Sequence, residues 1–358
     1  MWGAARDRLT ARLTRSWLAG QPSLSRDDYW DHMVMQPGVL AMDPELLVIG
    51  LAAVGERGAK VVERKTGRIV SSVPFDFYKK AGKVKLDHPW WKTEKNKRIT
   101  SVALSDKFII LKSGWTVGVF SRPNSEDSAE LTLLGCIDLG QDNDGTYQAM
   151  AGLGDLVIIG PSLGNGGLTT AFKLKRRGFS TEKTFVQGRF LVDDNFLLLV
   201  GNWFEPNKVL DNTPALHVYK ANNLDEEDFA VKADVNDTNR GTIAFKFPYV
   251  ASLSLFPSSV HVWNVTTGQK QLKLNFAPED NVLKLHFVYN LLVLTLGDQN
   301  LKLGLVDLNE KDPILQRRVF SEIKLSTVFD RPLVYFDNTS VLATADNDDV
   351  ISILNFWC

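Results

Sequence analysis

Between Ser259 and Phe276 the chain alternates apolar and polar positions in two runs separated by a turn. Val260, Val262 and Val265 fall among polar neighbours, which predicts a strand with one buried face. Leu272, Leu274 and Phe276 repeat the pattern beyond Asn264-Val-Thr-Thr-Gly268, so the segment reads as an antiparallel hairpin. Tyr249 to Leu255 predicts a further strand immediately upstream.

The unit recurs. Apolar runs stand at Leu46-Leu-Val-Ile-Gly50, Phe108-Ile-Ile-Leu111, Leu156-Val-Ile-Ile-Gly160, Phe196-Leu-Leu-Leu-Val-Gly201, Tyr249-Val-Ala-Ser-Leu253, Leu291-Leu-Val-Leu-Thr-Leu-Gly297 and Val341-Leu-Ala-Thr-Ala345. The spacing, roughly 40 to 60 residues, suits units of four strands. Polar turns precede the runs, as in Ser105-Asp-Lys107 and Asp193-Asp-Asn195, and a second strand follows, as in Val117-Gly-Val-Phe120, Leu216-His-Val-Tyr219 and Val260-His-Val-Trp263. A small sheet of this kind exposes apolar faces that only neighbouring sheets can cover, and closure of a ring removes the end faces. Strand, turn with glycine, and Val262-Trp263-Asn264 together resemble a blade of the WD-repeat β-propeller family, with Asn264 where that family carries an Asp that ties the turn. The expected fold is all-β: a single propeller of seven blades of degenerate WD-like repeats, preceded by a short helix. Two stacked β-sandwich domains are the alternative, but neither the spacing nor a Pro/Gly/Ser linker divides the repeats.

The first twenty residues alone carry helical periodicity. Leu9, Leu13 and Trp17 are spaced by four, with Arg6, Arg8, Arg12 and Arg15 on other faces, and Gly20 and Pro22 end the pattern. This predicts a docking helix from Ala4 to Leu18 and a division into residues 1–36, helix and junction, and residues 37–358, the propeller. Ring closure also predicts that the last strand, Val350 to Trp357, lies beside strands of the first blade. The arginines interrupt any signal-peptide core, and two cysteines, Cys136 and Cys358, build no disulfide framework, so the expected location is cytoplasm or nucleus.

Composition adds exclusions. A chain of 358 residues with 44% hydrophobic and 23% charged residues can bury a large core. A formal net charge of -1 argues against general attraction to nucleic acid or an anionic membrane. Basic and aromatic residues interleave between Phe75 and Arg98, in Lys79-Lys-Ala-Gly-Lys-Val-Lys85 and His88-Pro-Trp-Trp91-Lys92. Such a loop can take phosphate or acidic peptide, or its tryptophans can cover the ring while its lysines are solvated.

Apparent catalytic signals read structurally. Gly160-Pro-Ser162-Leu-Gly164 matches a nucleophile elbow, but a second strand, not a helix, is expected after it. His32, His88, His217, His261 and His286 each lack ligand-spaced companions, so neither a metal nor a cofactor is expected. His217 and His261 occupy equivalent repeat positions, which points to a role inside the blade. Leu224-Asp-Glu-Glu-Asp228 and Asp346-Asn-Asp-Asp349 read as hydrophilic turns, and Lys173-Leu-Lys-Arg-Arg177 as a strand and turn with solvated or edge-protecting charges.

Arg12-Leu-Thr-Arg-Ser-Trp17-Leu-Ala-Gly20 is similar to the junction between the F-box and the first propeller strand in F-box/WD-repeat proteins. That resemblance implies a substrate-recognition module of a cullin-RING ubiquitin ligase, whose partners are proteins or peptide segments and ligase components. A general scaffold propeller is the second reading, and a propeller enzyme or small-ligand binder the third. No catalytic residue is expected, and no binding residue is assigned.

Overall fold

In the computed structural model, residues 23–27, 40–51, 58–77, 99–123, 131–139, 148–161, 168–176, 178–185, 189–202, 214–232, 243–255, 258–276, 282–296, 300–309, 317–324, 333–336, 340–344 and 351–355 are described. They form seven four-stranded antiparallel sheets, with no α-helix among the described residues. The helix expected from Ala4 to Leu18 lies outside them, as does the basic loop beyond Phe77. The first strand, β1 (Ser23–Asp27), belongs with the last sheet, described below. The sheets fall into two compact units, residues 33–234 and residues 1–32 with 235–358.

The unit of residues 33–234 holds four sheets in chain order. The first comprises β2 (Leu40–Met42), β3 (Leu46–Leu51), β4 (Gly58–Glu63) and β5 (Ile69–Pro74). The second has β6 (Ile99–Leu104), β7 (Phe108–Ser113), β8 (Thr116–Ser121) and β9 (Leu133–Asp138). Then come β10 (Gln148–Leu153), β11 (Leu156–Pro161), β12 (Thr169–Lys175) and β13 (Gly178–Phe185), followed by β14 (Arg189–Asp193), β15 (Phe196–Asn202), β16 (Pro214–Lys220) and β17 (Asn223–Lys232).

The second strands of this unit open on apolar runs, and in β7 and β11 alternate residues serve two different cores. In β7, Ile109 and Leu111 pack with Val48, Val61 and Phe77 on the side of the first sheet, whereas Phe108 and Ile110 pack with Val157 and Ile159 of the third. Leu156 and Ile158 of β11 face Leu197 and Leu199 of the fourth in the same manner. A strand covered on both faces has no position for a solvated side chain, which is the pattern the sequence carries. Outer strands differ. The residues Leu224-Asp-Glu-Glu-Asp228, read above as a turn, lie within β17, where Leu224 is buried while Asp225, Glu226 and Glu227 are exposed. An outer strand has water along one edge and tolerates such charge, here paired as Lys183–Asp225 (2.9 Å) and Lys220–Asp228 (2.6 Å). Lys173 lies on β12, an inner position of its sheet, and pairs with Glu182 at 3.6 Å.

The second unit holds β18 (Ile243–Lys246), β19 (Tyr249–Leu255), β20 (Ser258–Asn264) and β21 (Gln269–Asn275), then β22 (Val282–Val288), β23 (Leu291–Leu296), β24 (Asn300–Asp307) and β25 (Arg317–Lys324). Val260, Val262, Leu285, Phe287 and Leu294 join the two in one core. Its last sheet is assembled from both ends of the chain: β26 (Leu333–Phe336), β27 (Ser340–Thr344) and β28 (Ile351–Asn355), then β1 as the outer strand, with Ser25 opposite Ile353. Among the described residues, strand structure therefore begins at Ser23, inside the segment assigned to helix and junction. The expected closing strand is β28, and its partner is the N-terminal β1. Ser23-Leu-Ser-Arg-Asp27 offers a single apolar residue, so nothing local marks it as a strand; pairing supplies what propensity does not.

Gly118 on β8 shows how tightly adjacent sheets approach. A Cβ built there would lie 2.4 Å from the ring of Phe77, itself buried and set edge-on to Phe120 at 5.5 Å. Gly118→Ala is expected to displace Phe77 and lower stability by about 1–3 kcal/mol, read as a reduced denaturant midpoint with an unchanged m-value. Removal of residues 1–27 leaves the β28 edge open. The expected result is loss of soluble monomer by size-exclusion chromatography, and a monodisperse truncated chain would contradict the pairing of β1.

Candidate binding site on the inner edge strands

The first strand of every sheet is an edge, bonded on one side only. Within each unit these edges pack against one another, β2 on β6, β6 on β10, β10 on β14 and β18 on β22. The residue opposite the third position of the second strand is Ala41, Ala103, Ala151, Leu191, Ala244, His286 and Tyr335 in successive sheets. Alanine there lets neighbouring edges approach. Sheet six departs, and puts an imidazole where four other sheets have a methyl group.

Two lysines accompany it. Lys284 stands two residues before His286 on β22, opposite Thr295, whose hydroxyl donates to the Lys284 carbonyl at 3.5 Å. Lys246 ends the adjacent β18. All three side chains are partly buried. Burial holds the His286 imidazole down to a pKa of about 3, and the charges of Lys284 and Lys246 add to the effect, so the ring is neutral at ordinary pH. Burial also draws Lys284 down to about 8.

The fifth position of the second strand marks a related layer elsewhere. Arg189 lies opposite it in the fourth sheet, in the register that Lys284 has in the sixth, and burial lowers the pKa of its guanidinium. Lys112 occupies that position itself on β7, is 1% exposed, and is drawn down to about 8 by burial. Three sheets thus place a cation at one level along their own strands. The sequence carried a signal for this: aligning the first strands on the starts of the seven apolar runs sets His286 at a position that is alanine in four other sheets. Reading each histidine for metal-ligand spacing missed it.

The other singled-out residues serve the blades. His217 lies on β16 and its Nδ1 hydrogen-bonds Glu227 of β17; His261 on β20 is within 3.3 Å of the Ser259 hydroxyl through Nε2. Both are buried, at the equivalent positions the repeats predict. Asn264 does the work expected of an Asp: its Oδ1 accepts from the Thr266 amide (3.0 Å), the Thr267 amide (3.3 Å) and the Thr266 hydroxyl (2.7 Å), and Gly268 closes the turn at φ 68°. Ser162 lies outside the described residues, but the strands flanking it, β11 and β12, pair antiparallel, as the hairpin reading requires. His32, His88 and Asp346 to Asp349 also lie outside. At the turn end of the first two sheets, Arg122 bonds the Asp43 carboxylate, Glu45 Oε2 (2.9 Å) and the Ser105 carbonyl (2.7 Å), a staple between sheets and not a cavity. Among the described residues no group of three or more His, Cys, Asp or Glu is placed to hold a metal, and no helix is long and apolar enough to cross a membrane.

No protein-family model and no curated protein matches the sequence. Solved structures do. A chain of a mitotic checkpoint complex is similar at 13% identity over 94% of each chain, with a TM-score of 0.58. Hsv2 of Kluyveromyces lactis is similar at 10% identity over 85% of this chain and 88% of its own, TM-score 0.55. The Dos1 propeller is similar at 12% identity over 87% and 75%, TM-score 0.53. These neighbours are WD40-type propellers, and the likeness, with seven four-stranded sheets, shows the β-propeller fold.

The lowered pKa of His286 has a consequence for stability. Between about pH 6.5 and 3 the unfolded chain takes up a proton that the folded chain refuses, so stability falls as the pH falls through that window. His286→Gln should lack this component and lose about 1–3 kcal/mol less than the natural protein between pH 7 and pH 4.5 in urea titrations. Parallel stability profiles would show that the imidazole is not held neutral.

Proposed function

We propose that this chain is a non-enzymatic, protein-binding β-propeller of the cytoplasm or nucleus, and that it acts as the substrate-recognition part of a receptor of the F-box/WD-repeat kind in a cullin-RING ubiquitin ligase. The observation that carries the protein-binding reading is the set of long connections between the strands. Strands alternate in direction, so the links from first to second strand leave one edge of a sheet. These are short turns: Asp43 to Glu45, Ser105 to Lys107, Gly154 to Asp155 and Asp194 to Asn195. Links from second to third strand, and from the fourth strand to the next sheet, leave the other edge, and they include residues 75–98, 139–147, 203–213 and 233–242. Long connections carried on a frame of paired strands are a usual way to build a recognition surface.

Assembly with other proteins is also the setting of the checkpoint-complex chain that resembles this one. The ligase reading rests on the resemblance of Arg12 to Gly20 to an F-box junction. A scaffold role in a different assembly is the second reading, since the same loops would serve it.

Affinity purification of the tagged full chain from its native cells, beside a version beginning at Ser23 that keeps β1, tests the proposal. Recovery of an F-box adaptor and a cullin with the full chain and their loss with the shorter one is the expected outcome. Stable partners without any ligase component would move the function to a scaffold.

A further inference from the structure

We propose that Thr66, in the turn between β4 and β5, is a phosphorylation site for a protein kinase that reads basic residues on both sides of its acceptor hydroxyl. A comparison inside the molecule carries this. The β4–β5 and β20–β21 turns both join the third strand of a sheet to the fourth, and they are built alike. The amides of Gly67 and Gly268 donate to the carbonyls of Glu63 and Asn264 at 2.8 and 2.9 Å, and the two glycines have φ 69° and 68°. The threonine before each glycine accepts from the amide two residues on: Arg68 donates to Thr66 Oγ1 at 3.3 Å, and Gln269 to Thr267 Oγ1 at 3.4 Å. The shared shape therefore rests on the threonine and the glycine. Around them sheet five has Val265, Thr266 and Gln269, whereas sheet one has Arg64, Lys65 and Arg68. Arg64 has a use in the fold, since its guanidinium donates to the Asp43 carbonyl at 2.6 Å. Lys65 and Arg68 are exposed, with exposed Thr66 between them, and the turn geometry gives no reason for their charge.

The chemistry of phosphoryl transfer supplies one. Cations at two and one positions before a hydroxyl and two after it are a pattern that carboxylates lining a substrate groove can read. With ATP as the donor, Oγ1 of Thr66 attacks the γ-phosphorus, the bond from that phosphorus to the bridging oxygen breaks with its electron pair leaving on ADP, and the hydroxyl proton passes to the kinase's aspartate base. The product carries close to two negative charges. Glu63, whose carboxylate accepts from the Thr66 hydroxyl, repels them, and Arg64, Lys65 and Arg68 attract them, so that hydrogen bond is exchanged for charge-assisted pairing. Arg64 connects the turn to Asp43, which Arg122 staples to the second sheet, so the modification reaches the contact between sheets one and two. Third-to-fourth-strand links leave a sheet on the same edge as the short first-to-second-strand turns. The phosphate thus marks the edge opposite the long connections, and the inference does not rest on the ligase reading.

The test incubates the purified full chain with radiolabelled ATP and the catalytic domain of a serine/threonine kinase of the protein kinase C type, then maps the label by mass spectrometry of peptides cut after glutamate. Incorporation at Thr66 is expected. Its initial rate should fall about tenfold or more in the double variant Lys65→Gln, Arg68→Gln, which leaves the Arg64–Asp43 contact in place. Thr66→Ser should keep the acceptor and Thr66→Ala abolish it, while Thr267→Ala leaves the rate unchanged. Site mapping on the natural protein needs no variant and decides the matter if one fails to fold. No label on Thr66, equal labelling of Thr267, or a rate indifferent to Lys65 and Arg68 would overturn the proposal.

Discussion

Two-sided burial governs this chain. A four-stranded sheet whose central strands are apolar on both faces is not stable by itself, so every sheet depends on a neighbour for cover. β7 makes the dependence explicit, since its odd and even residues belong to two different cores, one shared with the first sheet and one with the third. Stability is thus a property of the interfaces, and the close approach they demand explains why Gly118 meets the ring of Phe77 and why alanines line the inner edges.

Polar groups are admitted only where that constraint relaxes. At the turn ends, Asp43 and Ser105 accept backbone hydrogen bonds from the residues that start β3 and β7, and Arg122 ties the two turns. On third strands, His217 and His261 are buried but satisfied by neighbours in their own sheets. Outer strands carry the charge that keeps an open edge in water, as the acidic run of β17 does. The inner edges are the remaining place, and there Lys284, His286, Arg189 and the nearby Lys112 take positions that burial penalises.

How much of this the sequence carried depended on the range of the interactions. The seven second strands, from Leu46, Phe108, Leu156, Phe196, Tyr249, Leu291 and Ser340, stand where the apolar runs predicted them, because cover on both faces writes itself into consecutive residues. The turn at Asn264 and the equivalence of His217 with His261 were legible for the same reason, each being fixed within one hairpin. The acidic run of β17 was misread because charge in a row looks the same in a turn and on a solvated edge.

What the sequence determined by itself was the repeating unit: strand periods, turn chemistry and their sevenfold recurrence, all set by contacts between residues near one another in the chain. Tertiary structure alone decided that Ser23–Asp27 completes the last sheet, since a strand with one apolar residue acquires its identity from the edge of β28. It also decided which edge strands meet, β18 on β22 among them, because the packing of sheets and not sequence distance sets which edges adjoin.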